Sequence, residues 1–308
     1  MPYSRTLRSR ANRRYSAKNT RRRTTYRRRG RAPRRTYRKR GGMGRKSLLN
    51  ITSRKKRNGM LSWSNTVQLS GASRTTAVGP AVINGQNTGF FLWCPTAMDM
   101  DQNSIVANVA SRSATNCFMK GLSENLRIQT SSQAPWFHRR ICFTSRDETF
   151  RAGDRDTSPL NPLLPYIDTS NGKERLWLNA NINNAPNTLS LYQTLMFKGT
   201  VNVDWNDLIV APLDTGRITV KFDKTWTIQS GNGTGVVRER KLWHPMNKSL
   251  VYDDDEIGDA ENPAFFSTDS RAGMGDYYVV DIFQGGTGVG ASDLLQVSAN
   301  STMYWHER

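Results

Sequence analysis

Residues 217–228, RITVKFDKTWTI, carry the pattern that decides the fold class. Apolar side chains alternate with polar ones in this stretch, which is the two-residue period of a β-strand that buries one face. The apolar members are Ile218, Val220, Phe222, Trp226 and Ile228. The stretch therefore predicts a half-buried strand.

The same period recurs along the rest of the chain, beginning in residues 61–70. Further strands are predicted at residues 88–94, 124–131, 136–144, 200–205, 237–243, 277–284 and 295–305. Helical periodicity is scarce, and it predicts short helices only at 97–112 and 188–198. Many strands joined by long Pro- and Asn-rich loops, such as 152–187, predict an all-β protein. An antiparallel, eight-stranded jelly-roll sandwich is favoured, with an immunoglobulin-like sandwich as the alternative.

Charge divides the sequence into two parts. Residues 1–58 hold 24 of the 45 Lys and Arg residues, and the first acidic residue is Asp99. Residues 59–308 hold the other 21 basic residues and all 25 acidic residues, a net charge of −4. The chain thus joins a polycationic segment to a nearly neutral body, and we infer that the two parts have different functions. We therefore predict a disordered basic arm, residues 1–58, and a folded β domain, residues 59–308.

The arm has the composition of a ligand for single-stranded nucleic acid. Its four tyrosines, Tyr3, Tyr15, Tyr26 and Tyr37, recur at intervals of 11 or 12 residues among arginines. Phosphates neutralise guanidinium groups, and unpaired bases stack on Tyr and Arg planes whatever the base sequence. The residues predicted to bind nucleic acid are Arg13, Arg14, Tyr15, Arg21, Arg22, Arg23, Tyr26, Arg27, Arg28, Arg29, Arg31, Arg34, Arg35, Tyr37, Arg38, Lys39 and Arg40. The alternative is that the tyrosines are incidental and that charge acts alone.

Two basic clusters of the arm also fit nuclear-import signals. The clusters are Arg34, Arg35, Arg38, Lys39 and Arg40, and then Arg54, Lys55, Lys56 and Arg57. A mitochondrial transit peptide is the alternative interpretation of an Arg-rich, acid-free N-terminus. It needs an apolar helical face, for which residues 1–40 offer only Leu7 and a few alanines beside the tyrosines.

No group of residues predicts catalysis or a metal site. The three histidines, His138, His244 and His306, lie near no recognisable nucleophile motif. The three cysteines are widely spaced, which favours neither a disulfide framework nor a zinc site. The sequence also lacks an apolar run long enough to span a membrane, so no membrane partner is expected.

Two further motifs have plainer explanations than the sites they mimic. GTGVGA, residues 286–291, matches a dinucleotide-binding pattern, but the remaining 17 residues alternate like a strand and do not form a helical pattern. We therefore predict a link between two strands and no cofactor. The acidic run YDDDE, residues 252–256, lacks the spacing of a calcium loop. It is predicted to be a solvated loop or a patch that pairs with basic residues of a neighbouring subunit.

Four segments carry a more specific signal than composition. They are SLLNITSRKKRNGMLSW (47–63), WFHRRICF (136–143), KLWHPMNKSLVYDDDE (241–256) and YYVVDIFQ (277–284). The first three resemble the capsid proteins of genomoviruses, the gemycircularvirus group with small circular single-stranded DNA genomes. The last also resembles their geminivirus relatives. The resemblance covers nearly the whole body, whereas in the arm it is one of composition.

The resemblance implies a capsid function without enzymatic activity or cofactor. Such a protein would be a jelly-roll subunit that assembles with copies of itself into a small icosahedral shell, of sixty subunits in the smallest case. Its partners would be a single-stranded DNA genome and a nuclear-import receptor, and its locations the virion and the host nucleus. Sixty arms of 24 positive charges each would neutralise roughly 1.4 kilobases of single strand at one charge per phosphate.

Two other classes of function remain as alternatives. A monomeric nucleic-acid-binding protein of ribosomal or chromatin type predicts a basic patch on the fold itself, and the body's net charge of −4 argues against one. An enzyme with a nucleic-acid tether requires an active site that the sequence does not reveal.

Overall fold

A computed structural model describes residues 44–100, 105–152 and 155–308. Contacts divide the chain into two units, Met1–Gly44 and Arg45–Arg308. The predicted disorder of residues 1–43, their nucleic-acid-binding set from Arg13 to Arg40 and the first import cluster lie outside the described residues. Those assignments stay predictions.

The described residues form fourteen strands and two α-helices. The strands are β1 (Arg54–Thr66), β2 (Ser73–Val78), β3 (Ala81–Asn84), β4 (Gly89–Trp93), β5 (Asn116–Thr130), β6 (Trp136–Ser145), β7 (Ile167–Thr169), β8 (Gly172–Trp177), β9 (Thr219–Ile228), β10 (Val237–Val251), β11 (Asp255–Ile257), β12 (Ala260–Asn262), β13 (Asp276–Gly285) and β14 (Leu294–Glu307). The helices are α1 (Arg45–Thr52) and α2 (Pro186–Met196). The prediction of an all-β protein is confirmed.

Two main sheets build the body. The larger sheet has the order β10-β5-β14-β1-β8-β7, with β2 beside β1 and β3 beside β14. The smaller sheet has the order β4-β13-β6-β9. Their pairings are antiparallel except for the parallel contact of β1 with β8. Side chains of both sheets meet in the core, where Met303 and Trp305 of β14 belong to one cluster with Cys142 and Val279 of the smaller sheet.

The two sheets differ in how many faces they bury. The outer face of the smaller sheet packs through Ile141, Tyr278 and Val280 into a second cluster, which includes Tyr192 and Met196 of α2. Consequently β13 is buried at eight consecutive positions, whereas β14 alternates between buried and accessible positions. A strand covered on both faces has a continuous apolar run, and a strand covered on one face alternates.

Two predicted elements are wrong. Residues 200–205 alternate like a strand but form turns, because Asn202 adopts a left-handed backbone with φ of 62° and the Asp204 carboxylate accepts from the Thr200 amide. The helix predicted at 97–112 is absent from the described residues of that range. The helix predicted at 188–198 corresponds to α2.

The structure also moves the boundary between arm and body. Residues 45–58, assigned to the disordered arm on charge alone, form α1 and the start of β1. They join the body because β1 pairs with β14 from Arg54 onward and because Lys56 turns into the interior. The Arg-rich segment outside the body is therefore residues 1–44, with 18 Lys and Arg residues.

Candidate nucleic-acid interface

The larger sheet has one face open to solvent. Buried and accessible side chains alternate along β5 and β14, and the accessible ones lie on the side away from the smaller sheet. We call the outward surface of β10, β5, β14 and β1 the basic face. Its basic residues are Lys55, Arg57, Lys120, Arg127 and Lys241. Glu239, opposite Arg127 across the β10–β5 pairing, is the one carboxylate at the outward positions of these four strands, all of which are described.

Aromatic rings lie among these cations. Trp243 and Tyr304 form one ring pair with centroids 5.9 Å apart, and Phe118 and His306 form another at 6.1 Å. Trp243 is 48% exposed and Phe118 is 38% exposed, so their faces are open to a ligand. Burial, together with Lys55 and Lys120, lowers the pKa of His306, which keeps its ring neutral at pH 7.

Cross-strand register brings the cations beside the rings. Arg57 lies opposite Tyr304, and Lys55 lies opposite His306, across the β1–β14 pairing. A sheet face that alternates fixed cations with open rings can bind phosphates and stack unpaired bases at the same time. Bases within a duplex are already paired and stacked, so apart from the duplex ends only single strands offer free base faces. The arrangement therefore fits single-stranded nucleic acid.

The second predicted import cluster is divided between two environments. Lys55 and Arg57 are exposed on the basic face, whereas Lys56 is buried. The Lys56 ammonium lies 2.9 Å from the Glu307 carboxylate and donates to the Ser113 hydroxyl at 2.6 Å. In the folded body Lys56 is thus a structural cation, and an import receptor would find only its neighbours. Import by this cluster stays a prediction.

We expect the exposed rings to contribute to binding in a chain that lacks residues 1–40. Trp243→Ala and Tyr304→Ala should each weaken binding of a labelled oligothymidylate by about fivefold to a hundredfold, since a stacked base contributes about 1–3 kcal/mol. Fluorescence anisotropy at low salt measures this. Trp243→Phe keeps a ring and should retain most of the affinity. Unchanged affinity in the double alanine variant would show that the rings do not stack on bases.

A buried ionic network joins the two sheets on the opposite side of the larger sheet. Arg140 of β6 donates two hydrogen bonds of 2.8 Å to Asp281 of β13, and it also pairs with Glu124 of β5. Arg175 of β8 donates to Asp281 at 2.6 Å and to Glu124 at 3.1 Å. All four side chains are fully buried, so two cations and two anions alternate in a closed square inside the core.

Electrostatics explain why these carboxyl groups stay ionised. Burial alone would raise the pKa of Glu124 and Asp281, but the attraction of Arg140 lowers the pKa of both groups, and that of Asp281 lies well below its ordinary value. Arg175 is further held between the rings of Trp93 and Trp177, at 4.3 and 3.7 Å. The thiol of Cys142 lies beside this network, with Sγ 3.8 Å from Nδ1 of His244, but it is fully buried and burial raises its pKa. The network links strands of both sheets, and we interpret it as an element of packing and register.

Two of the three histidines, His138 and His244, border the network. His138 contacts Asp281 through Nε2 at 2.8 Å and stacks on Phe283, and His244 lies 3.4 Å from Arg140. Burial lowers the pKa of each to about 4, and the Arg140 charge acts in the same direction. Both rings are therefore neutral in the folded protein near neutral pH.

These shifts predict that the body loses stability in weak acid. The unfolded histidines titrate near pH 6.5 and the folded ones near 4, so the unfolded state binds more protons between these values. The contribution is complete above about pH 6.5 and is lost as the pH falls towards 4, by about 3 kcal/mol per histidine at most. Urea unfolding at pH 7, 5.5 and 4.5 measures the slope. His244→Gln should make it shallower, and a pH-independent stability would contradict the assignment.

The remaining candidate groups are also structural in the described residues. Asp254 of the acidic run pairs with the buried Arg112, and no group of three or more His, Cys, Asp or Glu there could hold a metal ion. Burial raises the pKa of Cys94, Cys117 and Cys142. Residues 286–291 lie between β13 and β14 and open no helix. No helix of the described chain has the length and apolar character needed to cross a membrane.

The basic face was missed by sequence reasoning for a specific reason. The strand predicted at 124–131 begins eight residues too late, because Gly121 and a bulge interrupt the alternation of β5. Phe118 and Lys120 therefore had no assigned face. The net charge of −4 describes residues 59–308 and leaves out Lys55 and Arg57, which charge alone assigns to the arm. A net charge also conceals a local excess of cations, so the charge balance of the body does not exclude a basic patch.

Comparison with protein families and with curated proteins yields no relative from which a role can be transferred. No protein-family model matches the chain, and no curated protein matches it. Any function assigned to the chain therefore depends on the fold, the basic face and the Arg-rich segment.

Proposed function

We propose that this protein is a viral capsid subunit of the genomovirus type. Its body would tile with copies of itself into a small icosahedral shell, and residues 1–44 together with the basic face would bind a circular single-stranded DNA on the inside. The proposal assigns the protein no enzymatic activity. It places the protein in the virion and, during assembly, in the host nucleus.

The strand order is the observation that carries the proposal. In a jelly roll of eight strands, the two sheets have the orders 1-8-3-6 and 2-7-4-5, which result from two interleaved Greek keys. Numbering β1, β4, β5, β6, β9, β10, β13 and β14 from one to eight gives β1-β14-β5-β10 and β4-β13-β6-β9. The other strands lie in the connections. An immunoglobulin-like sandwich divides its strands differently, so this order supports the jelly roll over that alternative.

Charge supports an interior ligand of one chemical class. Residues 1–44 contain 18 Lys and Arg residues and no acid. Sixty copies would match about 1.1 kilobases of single strand at one charge per phosphate, and incomplete neutralisation would extend this to roughly twice that length. The basic face adds five cations per copy beside open rings. A small circular single-stranded genome satisfies both the charge and the need for unpaired bases.

A monomeric nucleic-acid-binding protein is the second candidate, and the basic face is the observation that favours it. Such a protein would bind DNA without enclosing it. The two candidates therefore differ in whether bound DNA becomes inaccessible to nuclease.

Nuclease protection tests the proposal. The full chain is mixed with circular single-stranded DNA of about 1.1–2.2 kilobases at high salt, dialysed to low salt, and treated with nuclease. We expect full-length circles to survive in rapidly sedimenting material, whereas duplex circles of the same length are digested. Digestion of the single strands despite tight binding would favour the monomeric candidate.

A further inference from the structure

The free edges of the two sheets lie side by side. β10 ends the larger sheet and β9 ends the smaller one. Phe222 of β9 and His244 of β10 have ring centroids 5.0 Å apart, and Arg240 of β10 lies 4.6 Å from the Trp226 ring of β9. The two strands thus form one long open margin of the sandwich, which we call the basic edge.

Cations line this margin along its length. They are Lys221, Lys224, Arg238, Arg240 and Lys248. Among the described residues, none of these five cations has a carboxylate within 4 Å. Asp223, the acidic residue on β9 itself, pairs with Arg139 of β6. From Arg238 to Lys248 the row extends about 30 Å at the usual rise of a strand.

Like charges lie close together here, and Asp281, the anion that acts on Arg240, is not in direct contact with it. Burial and the nearby Lys248 lower the pKa of Lys221, and burial, Arg140 and Arg238 lower the pKa of Arg240 to about 10. Repulsion among these cations raises the electrostatic free energy of the folded chain, and an anionic partner bound along the row would lower it. Lysines can also serve simply to keep a free strand edge from pairing, which is the simpler explanation.

The ring at the edge does not suit nucleic acid. Trp226 is covered by Arg240, by Lys224 at 5.3 Å and by the stacked His138 ring at 5.1 Å. A base would find no open ring here, in contrast to Trp243 on the basic face. The edge therefore fits carboxylates better than bases.

The chain itself carries a surface of the opposite charge. β11 and β12 form a separate two-stranded hairpin, and its carboxylates are all exposed. We call it the acidic hairpin, with Asp253, Asp255, Glu256, Asp259 and Glu261. None of these five forms an ion pair among the described residues, and Ile257 at its turn is 62% exposed.

Like charges face each other across the acidic hairpin. Glu256 and Glu261 lie directly opposite each other, and like charges in that register destabilise a strand pair. A two-stranded hairpin without further strands is marginal in water. Cations placed beside the hairpin would reduce the repulsion between Glu256 and Glu261, and a neighbouring strand edge would add the further strand that the hairpin lacks.

We propose that the acidic hairpin of one copy docks on the basic edge of a second copy. The carboxylates would lie along the row of cations, beside strand edges that still have free hydrogen-bonding groups. Since hairpin and edge are different surfaces, the contact is head-to-tail, and such contacts close into rings when the rotation between copies permits. The inference rests on the proposed function, because it requires copies that assemble.

Reciprocal charge reversal in the full chain tests this contact. Glu256→Lys with Glu261→Lys reverses the hairpin, and Lys221→Glu with Lys248→Glu reverses the edge. We expect each pair alone to raise the concentration needed for assembly at least tenfold, as measured by sedimentation velocity. All four substitutions in one chain should restore assembly close to that of the wild type.

Controls separate the different ways in which the test can fail. Glu148→Lys adds a positive charge at an exposed site off the hairpin and should assemble normally. Circular dichroism establishes that each variant is folded. If the reversed pairs assemble like the wild type, the cations only guard the edge and the inference is overturned, while the capsid proposal stands. If the edge variant assembles normally but binds less DNA, the edge is a nucleic-acid surface, which also overturns the inference.

Two further results are decisive. Failure of the fourfold variant to recover would show that hairpin and edge do not meet each other. Failure of the wild type to assemble under any salt or pH would overturn the capsid proposal, and the inference with it.

Discussion

Removal of residues 1–40 is expected to abolish DNA packaging and to leave the β body folded. The core clusters and both sheets consist of residues from Met60 onward and of β1, which begins at Arg54, so the deletion removes none of their residues. It does remove all 18 basic residues that precede Arg45. Because binding to phosphates scales with the number of cations engaged, the loss should be nearly complete at physiological salt.

The measurement compares deleted and full chains for nuclease-protected DNA and for thermal unfolding. The unfolding temperature should change by a few degrees at most. The full chain should also show a steep salt dependence, with a log-log slope of about −0.7 per phosphate engaged, and the deleted chain a shallow one. Packaging by the deleted chain at the wild-type level would assign the function to the body alone.

Asp281→Asn is expected to destabilise the body by about 3–5 kcal/mol. The substitution keeps the shape of the side chain but leaves Arg140 and Arg175 with a single buried carboxylate, that of Glu124. Removing one member of a buried ionic network costs this much because the remaining charge is desolvated without compensation. Urea denaturation at pH 7 measures the change in the free energy of unfolding.

A surface pair supplies the matched control for this prediction. Asp269 pairs with Arg151 at 2.7 Å but is 64% exposed, so Asp269→Asn should cost less than about 1 kcal/mol. Equal effects of the two substitutions would mean that the buried network does not hold the sheets together.

The alternating pattern predicted the fold class because a strand that buries one face shows a two-residue period within its own sequence. Residues 217–228 place each side chain by parity alone, and β9 occupies nearly that range. The pattern fails where a turn imitates it, as at Asn202, whose left-handed backbone depends on a hydrogen bond that parity does not encode. It also fails at the ends of strands, since β1 spans Arg54–Thr66 instead of 61–70 and β5 begins at Asn116. On β1 the predicted faces are reversed, because Leu61 is 52% exposed whereas Ser62 and Ser64 are buried.

The buried network was beyond prediction for a different reason. The charged residues inside WFHRRICF show that a buried strand contains cations, which signals ionic partners in the core. The partners come from other strands, however, with Asp281 lying 141 residues from Arg140. The division of the RKKR cluster, with Lys56 inside and its neighbours outside, likewise depends on Glu307 at the far end of the chain. Sequence spacing does not reveal such contacts.

The basic face changes the assignment of nucleic-acid binding to the arm alone, which the distribution of charge in the sequence suggested. Residues 1–44 still carry the densest run of cations, 18 Lys and Arg residues without an acid, but Lys55 and Arg57 on β1 continue the same chemistry into the sheet. Only the sheet presents described rings in fixed positions. We therefore expect the Arg-rich segment to supply most of the affinity and the face to supply the preference for unpaired bases.

Electron microscopy of the purified full chain tests the central claim most directly. The proposal of a jelly-roll subunit that encloses DNA predicts closed, uniform, isometric particles in negative stain, with DNA retained after nuclease treatment. A chain that stays monomeric across a range of salt and pH, with its DNA fully digestible, would contradict it.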